Sequence, residues 1–373
     1  MRSLQLHHRT TNRFRRPDLH QSSEPDSETG CQDEGNEQYR ALEQDVFTVQ
    51  DTYVLYKVLQ ILKFLDFKLA AEAHPIIMAD NTTKDIAGFD ETDPGRLQDT
   101  PWEPLSDRVI RFGIAGHGVC RFGAAFGFQN HPNVDVVAVT DIDPGRCAEM
   151  AEATGCKTTY PSVEEMIRDD RIEAVMLATD APSHFHHSVL ALEHGKHVGC
   201  AVPAVWGSLE DADRLYEAVK RSGLKYMMFE TSAYHSDCYL MRETYRAGML
   251  GRIVYSEGHY YHYFPEPLGS HNNWRVGLPP LWYSTHSTAY HIAVTGGYFT
   301  KVACLGFRGD ISWYQQEGNE YGNPFSSETA LFLTDEGGSS RMTCCWGAAG
   351  SEGDFGLVHG ELGAVIGTEF SPK

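Results

Sequence analysis

One stretch of this chain restricts its possible folds more than any other. Over 108–123 it reads R-V-I-R-F-G-I-A-G-H-G-V-C-R-F-G, an apolar run that ends in closely spaced glycines with a helix-like segment directly behind. The next apolar run, 134–141, ends in Asp141. Strand, glycine turn, helix, strand and acid, in that order, are what a dinucleotide site needs. Gly116 and Gly118 let the backbone turn tightly and approach a pyrophosphate, while the helix N-terminus offers N–H groups and a favourable dipole. Gly113, His117, Val119 and Cys120 belong to the same segment and are taken as further cofactor contacts. Asp141 sits where a carboxylate accepts hydrogen bonds from a ribose diol, which favours NAD over NADP; nearby Arg146 tempers that preference. Arg121 replaces the third glycine of the usual fingerprint, so the helix is expected to start later, near Gly123.

From 109 to about 230 the pattern keeps alternating. Helices are expected near 143–154, from 161, over 182–194 and from Ser208 to about 222, with strands near 158, over 172–179, over 197–200 and over 225–229. Ser208 caps its helix, with acids in the first turn. Such alternation predicts a doubly wound parallel sheet of the Rossmann type, with the ligand at the carboxyl ends of the strands. After Thr231 the pattern changes. One helix is expected near 239–247, then strands over 252–263, 301–306, 330–334 and 341–346, separated by loops of Gly, Asn and Pro. The fold class read from this is α/β followed by an α+β domain with an open, mainly antiparallel sheet. The domains are placed at 1–105 (an extension), 106–230 (nucleotide binding) and 231–373 (substrate and oligomerisation).

The net charge of −20 argues against nucleic acid as a partner. Nine cysteines, at 31, 120, 147, 156, 200, 238, 304, 344 and 345, form no zinc spacing and read as reduced thiols of a cytoplasmic protein. No run is long enough to span a membrane. The first hundred or so residues differ in character. They are basic and then acidic, without a signal-peptide core, and carry an amphipathic helix over 54–71. Met78 is an alternative start.

These residues resemble the Gfo/Idh/MocA family of nicotinamide-dependent oxidoreductases. G-K-H-V-G-C-A-V-P over 195–203 is similar to the family's G-K-H-V-x-x-E-K-P, T-D-A-P-S-H over 179–184 to its T-P-x-x-x-H, and A-G-M-L-G-R-I-V over 247–254 to its S-G-x-I-G-x-V. The resemblance implies a nicotinamide cofactor contacted by Thr179, His184, Ala201 and Pro203, and homo-oligomers packed through the second-domain sheet. It also implies a second domain that usually continues beyond a point like Lys373. Ala201 and Val202 replace the glutamate and lysine of E-K-P, and 282–289 keeps only the histidine, His286, of a D-x-G-x-H-x-x-D helix. A closer likeness within the superfamily is to the NAD-dependent glycosidases that carry E-V-P. The segments 230–234 and 257–262, Trp274, Arg275 and the segment 283–286, which includes Tyr283, are similar to their sequence, and their tyrosine and histidine fall at Tyr260 and His286.

A histidine such as His286 suits proton transfer near neutral pH, whereas Tyr260 readily donates. His262 shares a strand face with Tyr260, since side chains alternate along a strand. Arg275, beside Trp274, is read as a holder of a sugar hydroxyl or carboxylate. Glu230, Trp274, Arg275 and Tyr283 are the candidate substrate contacts, and His286, Tyr260 and His262 the catalytic ones. Glu230, His262 and His286 have no metal-ligand spacing, so no metal is expected. Three readings stay open: hydride transfer from a sugar or polyol to NAD, redox-neutral glycoside cleavage through transient oxidation, and nucleotide binding without turnover.

Overall fold

The computed structural model describes residues 103–118, 121–125, 127–349 and 353–373. The expected helix over 54–71 and the contacts of Val119 and Cys120 lie outside these residues. Five strands, β1 (Ile110–Ala115), β2 (Val134–Thr140), β3 (Ala174–Leu177), β4 (His197–Ala201) and β5 (Tyr226–Phe229), pair in parallel in the order β2-β1-β3-β4-β5. β3 is buried along its whole length, as its unbroken apolar sequence requires of a strand covered on both faces. The helices between strands are α1 (Phe122–Ala125), α2 (Pro144–Thr154), α3 (Val163–Ile167), α4 (His184–Glu193) and α5 (Leu209–Ser222). Asp143, Ser162 and Ser208 cap α2, α3 and α5 by accepting the backbone N–H of Arg146, Glu165 and Asp211. Near 158 there is no strand, only one bridge between Val139 and Thr159.

Helix α6 (Ser236–Arg246) leads into a second sheet of seven strands: β6 (Ile253–Tyr261), β7 (Phe299–Arg308), β8 (Phe325–Thr334), β9 (Ser339–Cys345), β10 (Gly353–Gly360), β11 (Gly363–Ile366) and β12 (Glu369–Pro372). Their order is β12-β11-β10-β6-β9-β8-β7, antiparallel apart from the β6–β9 pair. Helix α7 (Thr285–Thr295) lies against the inner face, and a Cβ on Gly258 of β6 would stand 1.8 Å from the Ser287 carbonyl oxygen. That contact seats α7 on the sheet through backbone alone. β10 escapes the sequence reading because three glycines interrupt its pattern, and β11 and β12 because each has only 4 residues. Among the described residues no helix is long and apolar enough to cross a membrane.

Candidate active site

Gly116 follows β1 with φ +86°, and a Cβ there would stand 2.4 Å from the Ala178 carbonyl oxygen, so only glycine fits. Gly118, at φ +62°, faces open space. Gly123 performs the packing that Arg121 does not: its Cβ would stand 2.5 Å from both the Gly116 carbonyl oxygen and Met150 Sδ. Helix α1 therefore begins late, at Phe122, and Arg121 takes the left-handed backbone, with φ +56°. Asp141 folds its carboxylate under the turn, where Oδ2 accepts from the N–H of His117 (2.7 Å) and Gly118 (3.1 Å) and Oδ1 from that of Asp143 (2.8 Å). A cradle of bare backbone beside an anchored carboxylate fits a dinucleotide.

The carboxyl ends of these strands open into one cavity of about 640 Å³. Gly116, His117, Gly118, Asp141, Thr179 and Ala201 line it on the parallel-sheet side. Tyr260, His262, Trp274, Arg275, Tyr283 and His286 line it from the second sheet and its loops. Gly113 is not among them; it lies inside β1, where a Cβ would stand 3.0 Å from Ile172, so its role is packing. Pro203 also lies off the wall, and its carbonyl is held by His184 Nδ1 at 2.7 Å. His184 borders the cavity, but its Nε2 is held by the Thr179 carbonyl at 3.0 Å, so the ring fastens two loops together rather than contacting a ligand. Burial pulls the His184 pKa down; nearby Cys200 and the two carbonyls outweigh it and push it up to about 9.

His286 anchors the opposite wall. Its Nδ1 donates to Glu230 Oε1 at 2.7 Å, and Ser232 Oγ lies 3.1 Å from the same nitrogen. Burial alone would lower the His286 pKa and raise that of Glu230, but each group's charge reverses the other's shift: histidine is raised and glutamate lowered. Each group thus favours the charged form of the other, with the carboxylate facing the ring's Nδ1. Glu230 thus stands behind His286, outside the cavity wall, and orients the ring instead of meeting substrate. Tyr260 lies over His286, with ring centroids 4.2 Å apart, and His262 abuts Tyr260 edge-on at 4.7 Å. Burial, with Tyr283 and Glu230 nearby, raises the Tyr260 pKa far above its ordinary value, so its phenol is a donor. Tyr283 donates to the Val202 carbonyl at 3.3 Å. Arg275 stacks over Trp274 at 4.2 Å, and among the described residues no carboxylate pairs with it. A cation left free in a cleft suits an electronegative ligand group.

Asp354 and His235 also line this wall, with Ser232 behind them. Asp354 of β10 pairs in register with Tyr260, and its Oδ2 accepts from Ser232 Oγ and lies 3.4 Å from His235 Nδ1. For Asp354 the only sequence signal was the order of β6 and β10, which a sequence without a recognisable β10 could not supply.

Comparison with known proteins agrees with this geometry. Residues 110–230 match the family model described as "Oxidoreductase family, NAD-binding Rossmann fold" of the Gfo/Idh/MocA type. A glycosyl hydrolase family 109 protein of Porphyromonas gingivalis is 28% identical over 178 residues, 45% of this chain and 38% of the relative. Inositol 2-dehydrogenase 3 of Saccharopolyspora erythraea is 33% identical over 152 residues, 38% of this chain and 42% of the relative. The chain thus spans about two-fifths of the length of these curated relatives. The scyllo-inositol dehydrogenase of Lactobacillus casei, solved with NAD(H) and scyllo-inositol, superposes with a TM-score of 0.56 at 16% identity, over 69% of this chain and 76% of that one. Residues 110–230 thus match the NAD-binding Rossmann domain of the Gfo/Idh/MocA family, and the two-sheet fold of the chain is that of its solved neighbours.

Proposed function

We propose that the chain is an NAD-dependent oxidoreductase acting on a sugar or polyol, with 106–230 as its nucleotide-binding domain and 231–373 as its substrate domain. The observation that carries this reading is the single cavity joining the Gly116–Gly118 turn and Asp141 to His286 and Tyr260. Gly116, His117 and Gly118 would hold the pyrophosphate and Asp141 the adenosine ribose, which favours NAD. Bound nicotinamide supplies an acceptor for the hydrogen taken from a substrate carbon. His286, held through Nδ1 by Glu230, takes the hydroxyl proton at Nε2. Tyr260 donates a hydrogen bond to the substrate oxygen, while Arg275, Tyr283 and His262 orient the ring hydroxyls. Two copies meet through the open face of the second sheet.

The test is absorbance of NADH on mixing protein, NAD and a panel of cyclitols and pyranoses. Turnover in the native protein and its loss by about 10²–10⁴-fold in His286→Asn are expected. NAD binding without turnover on any member would return the chain to a nucleotide-binding protein. A second reading, oxidation-assisted glycoside cleavage, draws on the tyrosine lying over the histidine and on the glycosyl hydrolase family 109 relatives. It is separated by deuterium from solvent entering the sugar carbon beside the oxidised one, with no net NADH.

A further inference from the structure

The proton that His286 collects needs a way out, and direct contact with water does not supply one. His286 is 7% exposed, and the Glu230 and Ser232 that meet its Nδ1 are 7% and 0% exposed. A row of polar groups nevertheless leaves that nitrogen. Ser232 Oγ lies 3.1 Å from His286 Nδ1 and donates to Asp354 Oδ2; the same Oδ2 lies 3.4 Å from His235 Nδ1. Asp354 keeps only 14% of its side-chain surface exposed, whereas His235 keeps 43%. Three different elements supply the groups: the turn Thr231–Tyr234 gives Ser232, the residue before α6 is His235, and β10 gives Asp354. Helix α7 brings His286 to meet them.

We propose that Ser232, Asp354 and His235 form a proton relay from His286 to solvent. When Nε2 of His286 accepts the substrate hydroxyl proton, the Nδ1 proton passes to Ser232 Oγ and the serine's own proton passes to Asp354 Oδ2. Asp354 hands it to His235 Nδ1, and His235 releases a proton to water from Nε2. Each group ends with the proton count it began with, so one proton leaves and no redox partner is needed. Glu230 does not duplicate this path; its Oε1 accepts from the Ser232 N–H and from His286, and its Oε2 has no partner among the described residues. Glu230 stabilises the cation, and the relay discharges it.

The relay rests on His286 being the acceptor in the reaction proposed above, and its test has an arm that needs no substrate. In the full chain, nitrogen-15 histidine spectra report exchange of the His286 ring proton with water. Ser232→Ala is expected to slow that exchange at least about tenfold, and unchanged exchange overturns the relay. In turnover, His235→Ala in dilute buffer is expected to lower kcat at least about tenfold with KM unchanged, and added imidazole to restore it. A loss that imidazole does not repair, or no loss, overturns the relay, because His235 is at the surface and its removal leaves packing intact. Slowed exchange in Ser232→Ala with no turnover of any polyol by the native chain would keep the relay and overturn the oxidoreductase reading.

Discussion

Glu230 and His286 sit so far from water that neither would hold a charge without the other. The linkage sign follows from the direction of each shift. The raised His286 contributes stability below the ordinary histidine range and loses it as pH rises through its folded value, while the lowered Glu230 contributes above the ordinary carboxylate range and loses it as pH falls. Replacing Glu230 by Gln leaves a buried imidazole without its counter-charge. The cost expected in urea denaturation near pH 6 is about 3–5 kcal/mol. The same change should move the acid limb of the kcat/KM profile to lower pH, because burial is then opposed only by the weaker influence of Asp354; a limb that stays put would remove Glu230 from the site. His184 obeys a separate rule: with its pKa pushed up to about 9, its stabilisation is full below about pH 6.5 and fades as pH rises through 9. Melting temperature should therefore decline over that interval in the native chain and stay flatter in His184→Gln. The sequence brought Tyr260 and His286 forward through its resemblance to the NAD-dependent glycosidases, and both line the cavity together with Arg275. It could not place Glu230 behind the histidine, because facing substrate and facing another side chain leave the same mark on a sequence. His184 misled for a related reason: a motif histidine beside a cofactor loop looks alike whether it touches the ligand or two carbonyls.

Among elements, two glycines carry the geometry that the side chains then use. Gly123 lets α1 press on the glycine turn, and Gly258 lets α7 press on β6. A methyl group at 123 meets backbone oxygen and Met150 at 2.5 Å, so Gly123→Ala should lift α1 and deform the turn. Its NAD affinity, read by quenching of tryptophan fluorescence, should weaken at least about tenfold, which is about 1.4 kcal/mol. Gly258→Ala acts on the other wall: with 1.8 Å to the Ser287 oxygen, α7 must retreat and carry His286 with it. Overpacking of this kind costs about 1–3 kcal/mol or more, measurable by denaturant titration. Native stability in that variant would show that α7 is not held by this contact. The alternation of β1 to β5 was readable because covered parallel strands are continuous apolar runs of recognisable length. β10 was not, since G-D-F-G-L-V-H-G over 353–360 offers three glycines and a charged residue where a strand signal is sought. With β10 unread, the neighbour relation of Asp354 to Tyr260 could not be read either.

On the scale of the molecule, the second sheet covers the cavity with one face and turns the other outward. That outer face carries Leu305, Phe307 and Leu331 at 72%, 64% and 56% exposure, with Phe355 at 48% and Ile366 at 54% on the far strands. Near the middle, Glu257 binds Arg341, Tyr255 and His259, and His259 stacks on Phe355 at 4.3 Å. A wide apolar surface around a satisfied polar centre is costly to leave in water and is the kind of patch that self-associating proteins bury. The charge of the chain, −20, works against pairing two copies. Added salt screens that repulsion but leaves the apolar contact in place, so association should tighten from low salt to about 0.15 M, where the Debye length is about 8 Å. Replacing Leu305 and Leu331 together by Glu places two more negative charges on each copy at the most exposed apolar positions. Light scattering coupled to size exclusion should then report monomer for the variant where the native chain is an oligomer, with circular dichroism unchanged because both side chains point outward. A native chain that is monomeric at micromolar concentration in moderate salt would leave this face to some other role, and an oligomer that survives both substitutions would place the interface elsewhere.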